Sequence, residues 1–310
     1  MEFTAKKRIV YHTLLAVFLA NAANRFFIPD LDFELEHRFY QRIFEGVGDA
    51  PDQYRILPLL ALKAAWSLLK ALHPGTPWNH AVLLFNGVFG FLVLEGFYRL
   101  ATFWSSYKRL VFNFIFASAY IYTQYTGWRP DTLGLELASV LSVWVWQEKA
   151  GRPVWSLPAL VALAFCRTDV ALVFAAFQAL YLEKQLWMRV VLVAIPLVTQ
   201  WLLQTVLFPA ARYYTHTMML FDNLGGYYLA YNPATWGLLA AVLLFWNDIR
   251  AFALRVRANY PWLPWMLAGY AALVLVVGRI NEYRLYLPFV PLLLYAAVPP
   301  DQRSLKPGPK

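Results

Sequence analysis

Charge is what this chain has least of. Only 15% of its 310 residues are Asp, Glu, Lys or Arg, against about 25% in an ordinary soluble domain. That excludes a water-facing surface over most of its length. A single cysteine, Cys166, excludes an internal disulfide framework. The five histidines are scattered and none shows an H-x-x-x-H spacing, so no metal site is indicated and no cofactor is expected. There is no P-loop, no dinucleotide fingerprint and no nucleophile elbow, which removes the usual signatures of nucleotide binding and of serine hydrolases. No small-residue cleavage site follows the first apolar block, which comes after Lys6-Lys7-Arg8; this predicts a retained helix rather than a removed signal peptide. No internal repeat stands out, and the Pro/Lys-rich tail 304–310 reads as disordered.

What is present is apolar surface. Hydrophobic residues make up 60% of the chain and its mean hydropathy is +0.46. They fall into blocks of roughly 15–22 residues, the length that crosses a bilayer as a helix. Backbone groups in lipid must be satisfied within each segment, so the expected fold is all-α: one polytopic transmembrane bundle over 1–310. About ten spans are predicted, near 9–26, 80–98, 110–127, 131–147, 153–166, 168–182, 188–208, 234–247, 262–278 and 284–299. The net charge of +9 would suggest nucleic acid in a soluble protein. Here the basic residues read as topology signals, and no nucleic-acid partner is expected.

One apolar block, Ile56–Leu72, is left out of the spans, and charge tests that choice. With it excluded and the N-terminus cytoplasmic, 16 of the 27 Lys and Arg residues lie on the cytoplasmic side, and both termini are there. Counting it as a span would move every later basic connection outside, against the positive-inside bias. Lys63 and Lys70 share one face of it. The block therefore reads as an amphipathic helix at the outer interface, within a long first outer loop, 25–79.

That loop holds the densest chemistry. Between Asn24 and Arg55 lie seven carboxylates and four arginines. Asp30-Leu31-Asp32-Phe33-Glu34 sets two or three carboxylates just beyond a helix end, where one could act as a general base on an acceptor hydroxyl. The plainer alternative is a solvated acidic loop. Arg129 with Asp131, and Arg167 with Asp169, repeat an Arg-x-Asp pattern. Such pairs either neutralise each other near the membrane or free an arginine for a phosphate. Arg279, Glu282 and Arg284 punctuate apolar sequence on the side the bias disfavours; interfacial anchoring and an anionic lipid headgroup both account for them. The loop Phe208–Pro233 carries His216, Asp222 and five tyrosines, suited to interfacial packing or to sugar stacking. All these clusters fall on the outer side.

Taken together, the pattern resembles the GT-C superfamily of integral-membrane glycosyltransferases, which use polyprenyl-phosphate-linked sugars. Asp30-Leu31-Asp32 stands where that family's first-loop acidic motif stands. The stretches Phe39–Gly46 and Tyr54–Leu60 resemble its loop helices. Leu163–Asp169 resembles its arginine-bearing turn between two short mid-chain helices, and Tyr283–Pro291 its late helix rich in arginine and proline. The resemblance implies a polyprenyl-phosphate sugar donor, a hydroxyl acceptor (glycan, lipid or protein) and a membrane lipid environment. It makes Asp30 or Asp32 the base, and it gives the donor phosphate to Arg167, Arg279 or Arg284. Glu34, Arg55, Arg129, Asp131, His216 and Glu282 are further candidates. No soluble C-terminal domain follows, which leaves acceptor recognition to the loops.

Two other classes compete. A transporter or flippase for a lipid-linked or anionic substrate would show broken helices and polar residues at mid-membrane depth; Glu95, Glu136, Asn86 and Asn113 are the residues it would use. A non-catalytic scaffold would not need charges concentrated in one loop. Compactness and the lack of sorting signals fit a bacterial inner membrane.

Overall fold

The computed structural model of the chain describes residues 4–26, 41–48, 54–123, 131–148, 155–211, 233–244, 246–277 and 285–298, and every regular element in them is a helix. The elements are α1 (Ala5–Phe26), α2 (Ile56–Leu72), α3 (Trp78–Leu100), α4 (Ser106–Thr123), α5 (Asp131–Glu148), α6 (Ser156–Cys166), α7 (Thr168–Phe177), α8 (Leu186–Leu202), α9 (Pro233–Leu244), α10 (Trp246–Asn259), α11 (Leu263–Val277) and α12 (Val290–Ala296). A π-helical turn extends α7 over Gln178–Leu182 and another extends α8 over Leu203–Leu207, and a 3-10 turn, Leu287–Phe289, leads into α12. The all-α expectation therefore holds for the described residues.

The helices form where the apolar blocks lie because a helix satisfies its own backbone groups, and they stop where chain chemistry interrupts them. Between α2 and α3 the Thr76 hydroxyl donates to the His73 carbonyl at 2.7 Å. Pro77, extended at φ −65° and ψ 153°, then precedes the first turn of α3, where its missing N–H costs nothing. Beyond the other end of α3, Arg109 donates from Nε to the Trp104 carbonyl (2.8 Å) and from Nη2 to that of Thr102 (2.9 Å). Its Nη1 reaches the Tyr98 carbonyl at 3.4 Å, one of those that a helix end leaves unpaired.

α3 is the hub. It packs on α1, α2, α4 and α5, and Val93, Leu94 and Phe97 on it are wholly buried. Gly96 lets α5 approach so closely that a methyl group there would collide with Val140. α2 stays on the first half of α3: Leu59 and Leu62 cluster with Trp78, Ala81, Val82 and Phe85. Its exposed Lys63 and Lys70 rest over the rings of Phe44 (5.0 Å) and Trp66 (3.8 Å).

Among the described residues, two helices are long and apolar enough to cross a membrane, Trp78–Leu100 and Leu186–Leu207. Four other expected spans are shorter apolar helices, and the pair at 153–166 and 168–182 departs most from expectation. Ser156 and Gln178 are hydrogen-bonded through their side chains, and Gln178 Oε1 also accepts from Trp146 Nε1 at 3.1 Å. Residues 22 positions apart can meet only if the chain doubles back, so α6 and α7 form a tight hairpin with Arg167 at its tip. Eleven residues of α6 rise about 16 Å, half of a bilayer core of about 30 Å. A second departure is α10. The stretch 248–261 carries Arg250, Arg255 and Arg257 and reads as a connection, yet it is helical over Trp246–Asn259. It buries Val256 and leaves those arginines exposed, so it is an amphipathic helix with a narrow apolar face.

Candidate functional site

The hairpin tip is built by one extended residue between two helices. Arg167, at φ −167° and ψ 108°, ends α6 and precedes α7. Its N–H bonds to the Leu163 carbonyl (2.7 Å) and its carbonyl accepts from Ala171 (3.0 Å). Its guanidinium grips Asp169 in a two-point bond, Nε to Oδ1 at 2.9 Å and Nη2 to Oδ2 at 2.7 Å. Asp169 lies in the first turn of α7, where a helix dipole favours negative charge. The ion-pair reading of this Arg-x-Asp motif is thus met, with Arg167 only 14% exposed.

The pair is not isolated. Arg167 Nη2 also donates to the Tyr270 hydroxyl at 2.8 Å. That hydroxyl in turn faces Asp169 Oδ2 and the Leu285 carbonyl, each at 3.3 Å. Thr168 is hydrogen-bonded to Gln200, about two-thirds of the way along α8 with its π-helical turn, and Tyr270 sits midway along α11. The tip is therefore recessed among the helices. Arg55, half-buried just before α2, is close enough for its charge to act on the Asp169 carboxylate. Two guanidinium charges thus act on one carboxylate.

Neighbouring packing brings other elements to the same end. Tyr54 and Leu203 are buried together, with Phe165 and Phe208 against them. A Cβ on Gly134, early in α5, would lie 2.7 Å from the Pro58 ring, so the starts of α2 and α5 touch. Of the sequence candidates, Arg167 and Arg55 are brought together. Asp131 opens α5, and its side chain lies outside the described residues. Asp30, Asp32, Glu34, Arg129, His216, Arg279, Glu282 and Arg284 lie outside them too. Among the described residues, no three His, Cys, Asp or Glu side chains gather as metal ligands would.

Two polar features stand apart. Glu136 on α5 is wholly buried, and neither carboxylate oxygen has a hydrogen-bond partner among the described residues; the same is true of the Asn86 side-chain amide on α3. At the opposite end from Arg167, Glu95 bonds Arg8 (3.0 Å), Arg99 (2.9 Å) and His12 Nδ1 (3.0 Å). His12 Nε2 meets Asn113 Nδ2 at 2.9 Å, and that same amide donates to the Leu94 carbonyl at 2.8 Å. Glu95 is therefore a paired residue near a helix end, not a lone mid-bundle acid.

The sequence did not point to Tyr270, a lone tyrosine in an apolar helix with no motif around it. It could have pointed to the Glu95 cluster. Arg8 with His12 and Glu95 with Arg99 are each four apart, hence on one helical face, and Glu95 is opposite in charge to Arg8 and Arg99. Comparison of the chain with protein-family models, with characterised proteins and with solved structures found no match.

Proposed function

We propose that this protein is an integral, multi-pass membrane glycosyltransferase of the GT-C type. It moves a sugar from a polyprenyl-phosphate donor to a hydroxyl acceptor at the extracytoplasmic face. The single observation that carries the reading is the recessed arginine at the hairpin tip. Asp169 and Tyr270 hold the Arg167 guanidinium in place, and the charge of Arg55 is near enough to act on the same carboxylate. Guanidinium suits phosphate because its donors form a planar fork, and the first turn of α7 adds a favourable dipole. Asp169 and Tyr270 fix the direction of that fork. Leu285, whose carbonyl meets Tyr270, directly follows Arg284 in the chain.

In the reaction, the acceptor oxygen forms a bond to the anomeric carbon of the sugar. The bond from that carbon to the phosphate oxygen breaks, and the polyprenyl phosphate leaves with the bonding electrons. A carboxylate, Asp30 or Asp32, takes the acceptor proton. The arginines stabilise the charge gathering on the departing phosphate, which is where an electrostatic contribution counts most.

The test uses purified full-length protein and a synthetic lipid-phosphate sugar. Asp30→Asn or Asp32→Asn should lower turnover about 100- to 10,000-fold while leaving donor binding intact. Arg167→Gln should weaken donor binding about tenfold, and Arg279→Gln and Arg284→Gln test the other two candidates. Near-normal turnover in both aspartate variants moves the chemistry to another acid such as Asp131. Unchanged lipid-phosphate affinity in all three arginine variants removes the donor site.

A second reading, a transporter or flippase for an anionic or lipid-linked substrate, draws on Glu136. A buried carboxylate without a partner in an apolar bundle is costly and marks a polar path, and the short hairpin is the kind of broken helix such proteins use. Translocation of a labelled lipid phosphate in vesicles, lost in Glu136→Gln and without sugar transfer, would favour it.

A further inference from the structure

At the end of the bundle opposite Arg167, three arginines from different parts of the chain line one cleft of about 460 Å³: Arg8 of α1, Arg99 in the last turn of α3 and Arg109 of α4. Trp144 and Gln147 of α5 form the facing wall. A bias toward basic residues on one side of a membrane calls for charges spread over solvated connections. Here they are folded into a concavity. The Arg8 side chain is only 23% exposed, and its Nε is buried without a hydrogen-bond partner among the described residues.

The groups divide their work. Arg109 is spent on carbonyls of residues 98, 102 and 104, so it forms a fixed, positively charged floor. Tyr98 holds two of the three cations by its ring face, with Arg8 Cζ at 4.8 Å and Arg109 Cζ at 5.2 Å from the centroid. Among the described residues, Glu95 is the single carboxylate bonded to these arginines. It pairs with Arg8 Nη2 and with Arg99 Nε. The two terminal nitrogens of Arg99, on a side chain 57% exposed, have no bonded partner among the described residues. Three guanidiniums against that one carboxylate leave the described lining of the cleft positively charged. From this geometry we infer that the cleft binds one phosphate group, presented by an anionic phospholipid headgroup or as a soluble phosphate. The open side takes the anion, Arg99 reaches over it, and the Trp144 wall lies beside whatever carries it. This site is separate from the hairpin tip and does not depend on the glycosyltransferase reading.

The experiment is native mass spectrometry of the delipidated full-length protein in detergent, titrated with phosphatidylglycerol, with phosphatidylcholine and, separately, with inorganic phosphate. Phosphatidylglycerol is expected to bind about tenfold or more tightly than phosphatidylcholine. Arg99→Gln, at a side chain 57% exposed and so safe for folding, should remove about that factor. Glu95→Gln deletes the competing carboxylate and should raise affinity several-fold, an opposite sign that general destabilisation cannot produce. Lys63→Gln, on α2 at the start of α3, should change nothing. Inorganic phosphate bound with the same Arg99 and Glu95 dependence, without lipid preference, upholds the site and assigns it to a soluble ligand. The inference is overturned if neither phosphate source binds better than phosphatidylcholine. It is equally overturned if binding is the same in the wild type, Arg99→Gln and Glu95→Gln.

Discussion

Tyr270 shows how much one hydroxyl can organise. It accepts from Arg167, and its proton has two acceptors, Asp169 and the Leu285 carbonyl. It thus joins the hairpin tip, α11 and the approach to α12. Tyr270→Phe keeps the ring packed on Phe289, 4.6 Å away, and removes only the polar link. Leaving a buried donor and acceptor unsatisfied costs about 1–3 kcal/mol, so the variant should unfold at a lower temperature in detergent. It should also bind lipid phosphate less tightly, because the guanidinium fork loses one of its two anchors. An unchanged unfolding midpoint would show that the hydroxyl carries no weight in the cluster. At this scale the sequence was half legible. Arg167 with Asp169 is written in an Arg-x-Asp spacing, whereas Tyr270 comes from 101 residues further on and carries no local mark.

At the scale of the element, glycine reports how closely the helices pack. Gly96 on α3 faces Val140 with no room for a methyl group, and Gly87 on the same helix has nothing within 4 Å of an added Cβ. Gly96→Ala must push α5 or its valine aside, at about 1–3 kcal/mol, against a gain in helix propensity of at most about 1 kcal/mol. Gly87→Ala makes the gain alone. The two substitutions should therefore shift the unfolding midpoint in opposite directions, down for Gly96→Ala and up for Gly87→Ala. Matching shifts would mean that α3 and α5 do not approach as described. The apolar blocks foretold most of these helices, since hydrophobic runs bounded by polar residues are a local signal. They placed the turn at Arg167 between 153–166 and 168–182 but not the shortness of its first arm, which is helical over only eleven residues.

Across the whole molecule, two polar centres lie at opposite ends of an apolar bundle. One gathers Arg55, Arg167, Asp169 and Tyr270, and the other Arg8, His12, Glu95, Arg99 and Asn113. The proposed membrane topology sets the two ends in different compartments, and labelling decides which. Cys166 is buried and can be replaced by alanine as background. The proposed topology, with Ile56–Leu72 along the outer interface, expects single cysteines at Asp49 and Thr76 both to react with a membrane-impermeant reagent from outside. Reaction at one site and not the other would make α2 a span and reverse every later helix.

The sequence alone determined the class of the molecule, because hydrophobic transfer and backbone satisfaction act on each segment separately and need no partner. Sparse charge and long apolar blocks act through those local terms, and they suffice for the helices of the described residues and for a proposed topology. Tertiary structure decided which polar groups meet. It set Arg167 at the recessed tip of a hairpin, brought Arg55 within reach of Asp169, and folded Arg8, Arg99 and Arg109 into one cleft. Electrostatic interactions fall off with distance and depend on burial. Residues 8 and 99, or 55 and 169, therefore become a site only once helices far apart in the chain are packed side by side.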